Sequence, residues 1–145
     1  MTKKVKAEAN ASARKCIEHS RYVVDTIYKS EDDKFEYIQA VINMELQSAS
    51  RYTKIFPADT KEQVENMKSA LEAYERVRKF VNQYRKHKGV TSDKECLSKD
   101  GITQMQIADE MLDLLPQKIS KVNYAMHMQK WLKFLLNMIG VLGFW

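Results

Sequence analysis

The chain consists of segments in which apolar side chains recur every three or four residues, with polar residues between them. This spacing places the apolar side chains on one face of an α-helix, because the helix has 3.6 residues per turn. The pattern predicts helices over residues 3–29, 30–55, 60–87 and 102–115, with further helix after residue 116. We therefore expect an all-α fold, an antiparallel bundle of four to five helices whose last helix is strongly apolar.

Two helix starts carry recognisable capping residues. Ser30 precedes three carboxylates at residues 31–33, which suit the unpaired N–H groups and the positive end of a helix dipole. Thr60 precedes Gln63 by three residues, the spacing of a capping box. These residues predict the starts of the second and third helices.

Breaks between the helices are marked by proline and glycine. Pro57 ends the second helix, and Gly89 opens a polar connection that runs to Gly101. Pro116 removes a backbone donor and disfavours helical geometry at Leu115, which predicts either a kink or a new helix there.

The C-terminal stretch, residues 131–145, holds eleven large apolar side chains in a chain that is otherwise rich in charge. From Phe134 to Trp145 twelve residues pass without a charge, fewer than the roughly 20 needed to span a bilayer. The apolar side chains of such a segment must be shielded from water. We predict that the contact with a partner or a membrane is made by Trp131, Leu135, Met138, Leu142 and Trp145.

Several environments would satisfy this segment. A helix that is apolar all round is usually buried, which favours the bundle core or a homo-oligomer. An interfacial anchor and a protein partner are the main alternatives. Residues 1–145 are expected to form a single domain; if the chain continues in the same character, that domain would be the head of a longer protein whose apolar segment starts at residue 131.

Charge adds one further candidate site. The chain has 24 cations, 19 anions and a net charge of +5, which mildly favours anionic partners. Six cations with no acid among them lie near the end of the third helix: Arg76, Arg78, Lys79, Arg85, Lys86 and Lys88. Cations are ordinary at the C-terminal end of a solvated helix, and the alternative is an anion site, including one for nucleic acid.

The sequence contains no recognisable catalytic, metal or nucleotide motif. His19, His87 and His127 fall on different predicted helices, and no Glu-x-x-His pair of the di-iron bundles occurs. Cys16 and Cys96 belong to no CxxC pair, as in a reduced intracellular protein. We therefore predict no enzyme activity, no metal and no cofactor.

These observations favour a non-catalytic helical interaction or adaptor module, with a protein partner or a second copy as its main partner. The alternatives are a nucleic-acid-binding accessory protein that uses the basic cluster, and a domain of a bacterial secreted effector that acts on host proteins or membranes. The cationic N-terminus is followed by no apolar signal region. We expect a cytoplasmic location, peripheral to or anchored in a membrane, and export without such a signal is the alternative.

Overall fold

Four α-helices form the fold of the protein, as seen in a computed structural model that describes residues 1–29, 37–88 and 99–143. They are α1 (Lys3–Lys29), α2 (Ile38–Lys54), α3 (Thr60–Lys88) and α4 (Lys99–Val141). These ranges contain no β-strand. The predicted all-α fold is thus confirmed.

Consecutive helices pack against each other in antiparallel order. Asn10 of α1 forms hydrogen bonds with the backbone of Phe56, just after α2, whereas Arg21 further along α1 contacts Glu45 of α2. Thus, as α1 advances, its contacts move back along α2. The same holds for α3 and α4, where Met67 shares a cavity with Lys118 and Arg78 lies near Asp109.

The core is made mainly by α2, α3 and α4, with α1 packed on the outer side of α2. Ala49, Ala70 and Ala73 are fully buried, and such small side chains let helices approach closely. The buried residues of α2 and α3 recur at the predicted apolar spacing. The buried face of α3 is the wider of the two, because α3 packs between α2 and α4. The largest fully buried apolar side chains are Ile38, Val41, Ile42, Val77, Val81 and Leu115.

A buried carboxylate connects three of the helices. Glu45 of α2 has no exposed side-chain surface, and its carboxylate accepts hydrogen bonds from Arg21 of α1 and from Arg76 Nε of α3 at 3.0 Å. Both arginine side chains are about one-third exposed, at 32% and 30%. The negative charge is therefore paired on two sides, which a buried ion requires.

Helix α3 begins at Thr60 as predicted, but its N-cap residue differs from the predicted one. Asp59 Oδ1 accepts a hydrogen bond of 2.8 Å from the Glu62 N–H, and Glu62 Oε2 accepts one of 2.8 Å from the Ala58 N–H. Asp59 is therefore the N-cap, and the predicted Thr60–Gln63 pair does not cap the helix. The two pairs have the same spacing, and the carboxylates are better acceptors at a positive helix end.

The sequence predicts a kink or a new helix at Pro116, and the last helix is continuous there, so no new helix begins at this residue. Proline costs the helix one backbone hydrogen bond, and Pro116 is exposed while the adjacent Leu115 is fully buried. Packing of Leu115 therefore stabilises the helical geometry that the proline disfavours. The Ser30 cap, the connection after Gly89 and Trp145 lie outside the described residues.

Replacement of Glu45 by Ala should lower the free energy of unfolding by about 3 kcal/mol, because it leaves two guanidinium groups without their shared partner. Urea unfolding followed by circular dichroism measures this change. Glu72→Ala, at an exposed site on α3, is the control and should change stability by less than about 0.5 kcal/mol. Equal effects of the two substitutions would show that Glu45 has no special structural role.

Candidate functional site

The predicted basic cluster on α3 is divided by the fold. Arg76 is directed into the structure, where it pairs with Glu45. Arg78, Lys79 and Lys86 are exposed, and Arg85 is half-buried. The side chain of Lys88 lies outside the described residues. Of the five cations whose side chains the structure describes, three are thus exposed on the outer side of α3.

These three exposed cations line a groove along α3 with a volume of about 640 Å³. Leu112 of α4 forms its apolar wall, and Arg78 Nε lies 3.8 Å from Asp109 Oδ1 of the same helix. Sequence reasoning missed the uncharged part of the lining, because a cluster of charges gives no sign of the residues beside it in space. The remaining lining residues are Glu75, Asn82 and Gln83. We call this feature the α3 groove.

The C-terminal part of α4 forms the second exposed surface. Trp131 is 51% exposed and Leu142 is 62% exposed, whereas Leu135 is half-buried. Met138, another of the five predicted contact residues, is also exposed. Neighbouring side chains that the prediction did not include extend the exposed surface: Leu132, Phe134, Leu136 and Val141. We call residues 124–143 the apolar end of α4.

The apolar end presents a different side of the helix from the side that packs on the bundle. Ile119, Val122 and Met126 pack against the core. Trp131 follows Val122 by nine residues, about two and a half turns, so it lies on the opposite side. None of the described residues after Met126 belongs to the core or packs against it. Within the described ranges, no helix is both long and apolar enough to cross a membrane.

The histidines and cysteines do not converge on a site in the parts of the chain that the structure describes. His19 and His127 are exposed on different helices, and Cys16 is a free, half-buried thiol. Cys96 lies outside the described residues. No group of three potential metal ligands occurs in residues 1–29, 37–88 and 99–143. Burial raises the pKa of the Tyr74 phenol, so this side chain is a neutral core residue at physiological pH.

Comparison with known proteins identifies the family of the chain. The family described as KIF-1 binding protein C terminal matches residues 1–122. The chain belongs to this family. No curated protein and no solved structure matches it. All of the α3 groove lies within the matched residues, whereas Trp131 and the rest of the apolar end up to Gly143 follow them.

Truncation after Gln129 should leave the free energy of unfolding within about 0.5 kcal/mol of the full chain, since none of the described residues that it removes packs against the core. Thermal and urea unfolding of both proteins measure the difference. Leu115→Ala is the positive control and should cost about 2–5 kcal/mol, because Leu115 is fully buried. A truncated chain that is as destabilised as this control would place the apolar end in the core.

Proposed function

We propose that the protein is a non-catalytic helical interaction module that binds a protein partner. The family match over residues 1–122 supports this proposal, because the family is named for proteins that bind KIF-1. KIF-1 is therefore the partner to test first. The packing of the helices also supports it, since their buried faces form a core and leave the outer side of α3 exposed.

The α3 groove is the surface that we assign to this partner. Its exposed cations outnumber its acids, with Arg78, Lys79 and Lys86 against Glu75. An acidic segment of the partner would complement this charge, and an apolar side chain would contact Leu112. Rigid helices position all of these residues, which limits the entropy lost on binding.

The apolar end of α4 is proposed as a second contact. Self-association, a protein partner and a membrane surface would each remove Trp131 and its neighbours from water. Nucleic acid is a weaker alternative for the basic cluster. Arg76 is engaged by Glu45, and the described lining of the α3 groove contains no aromatic side chain on which a base could stack.

The double substitution Lys79→Gln/Lys86→Gln should weaken binding of KIF-1 by about tenfold, as expected for the loss of two partly solvated charge contacts. Titration calorimetry with the purified partner measures the affinity, and the difference between the proteins should shrink at high salt. Lys61→Gln/Lys68→Gln removes the same charge from exposed sites elsewhere on α3 and should leave the affinity unchanged.

Three results would contradict this proposal. If the full chain does not bind KIF-1, the assigned partner is wrong. If both double substitutions weaken binding equally, the effect comes from net charge and the α3 groove is not the contact. If the full chain retains DNA or RNA in a filter assay at low salt, and Lys79→Gln/Lys86→Gln abolishes that retention, the nucleic-acid alternative is correct.

A further inference from the structure

On both sides of α4, the polarity of the side chains changes where the bundle ends. Each of the core-packing residues Ile119, Val122 and Met126 has a counterpart eleven residues later, about three full turns further along the same side. These counterparts are polar: Lys130, Lys133 and Asn137. The side that faces the bundle in the first part of α4 therefore continues as a polar, cationic strip.

The opposite side of α4 changes in the reverse sense. Before residue 124 it carries polar side chains such as Asp113 and Gln117, both exposed. After that point it carries exposed Tyr124, Trp131 and Met138. Leu132 and Leu136 on one flank, and Phe134 and Val141 on the other, widen this apolar side. The apolar end is thus an amphipathic helix whose apolar side points away from α2 and α3.

Charge distinguishes between the candidate occupants of this apolar side. No acidic residue occurs between Leu114 and Trp145, whereas Lys118, Lys121, Lys130 and Lys133 do. A second copy packed on the apolar side would leave Lys130 and Lys133 on the opposite side of the helix, where the contact gives them no carboxylate partner. Anionic lipid headgroups would attract the same lysines, each by a factor of about five in affinity.

The width of the apolar side distinguishes them further. The spacing of Tyr124, Met128, Trp131 and Leu135 alternates between four and three residues, as in a coiled-coil seam. A two-stranded coiled coil carries charged residues beside this seam, but here Leu132 and Phe134 lie beside it. A broad side bearing tryptophan, phenylalanine and leucine, with lysine on the narrow polar side, is typical of helices that lie in a membrane interface.

We propose that the apolar end of α4 lies in the interface of an anionic lipid bilayer, parallel to its surface. The apolar side enters the boundary between headgroups and acyl chains, while Lys130 and Lys133 contact the headgroups. Because α2 and α3 pack on the side of α4 that continues as the polar strip, they do not obstruct this contact. The inference rests on the proposed function only in assigning the apolar end an external contact, and it names the lipid surface as that contact.

Vesicle sedimentation with the full chain tests this proposal. Vesicles of equal parts phosphatidylcholine and phosphatidylserine should bind the protein, and vesicles of phosphatidylcholine alone should bind it much more weakly. Lys130→Gln/Lys133→Gln should weaken binding to the anionic vesicles by about thirtyfold. Leu135→Ser/Leu142→Ser should weaken it by at least tenfold, since two large apolar side chains would no longer be transferred from water to the acyl-chain boundary.

Matched controls separate this site from others. Ile107→Ser/Leu114→Ser alters two exposed apolar residues in the first part of α4 and should leave vesicle binding unchanged. Lys79→Gln/Lys86→Gln should also leave it unchanged while weakening the binding of KIF-1. Lys130→Gln/Lys133→Gln should weaken vesicle binding and leave the binding of KIF-1 unchanged. Failure of one proposal is therefore distinguishable from failure of the other.

Tryptophan fluorescence gives a second measurement. The chain has two tryptophans, so Trp145→Phe leaves Trp131 as the single reporter. Its emission should shift to shorter wavelength with anionic vesicles and be quenched by brominated acyl chains. Absence of vesicle binding, or equal binding to both vesicle types, would overturn the proposal. The protein could instead bind no lipid and form stable oligomers that Leu135→Ser/Leu142→Ser dissociates. That result would assign the apolar side of α4 to contact with a second copy.

Discussion

The buried carboxylate of Glu45 is the constraint on which the arrangement of the first three helices depends. A charge with no exposed surface must meet its partners at fixed positions, and here those partners are Arg21 of α1 and Arg76 of α3. Sliding either helix by one turn, about 5.4 Å, would separate the guanidinium group from the carboxylate. Apolar contacts favour packing but tolerate several registers, whereas this ion cluster favours one. Small side chains between α2 and α3 then allow the close approach that the cluster requires.

The central position of α3 explains the surface that it presents. Because α2 covers one side and α4 another, a large part of its circumference is buried, including Ala73, Tyr74 and Val77. The remaining strip is narrow and carries the cations Arg78, Lys79 and Lys86. Leu112 of α4 borders this strip. A groove forms there as a consequence of helix packing, and its positive charge comes from Arg78, Lys79 and Lys86, whereas Arg76 turns inward to Glu45.

The fourth helix combines two parts with different requirements. Up to Met126 its apolar side chains pack against the core, and the family match covers nearly the same region by ending at residue 122. Beyond that region the bundle offers no further packing surface, so apolar residues on the same side would gain nothing from it. The apolar residues lie instead on the opposite side. This exchange of sides separates the helix into a part that stabilises the fold and a part that is available to an external apolar phase.

The sequence by itself determined the helical class, the bounds of α1 and α3 to within one residue and the apolar faces that form the core, because 3.6-residue periodicity and proline or glycine breaks are local properties. It also indicated the unusual composition of residues 131–145. Only the tertiary structure decided that Glu45 is buried, that Arg76 pairs with it and that Asp59 caps α3 in place of Thr60. The same is true of the continuity of α4 through Pro116 and of the exposure of its apolar end. Each of these features depends on which residues lie close in space, either on other helices or at competing positions in the same turn. The spacing of residues along one segment carries no information about these contacts.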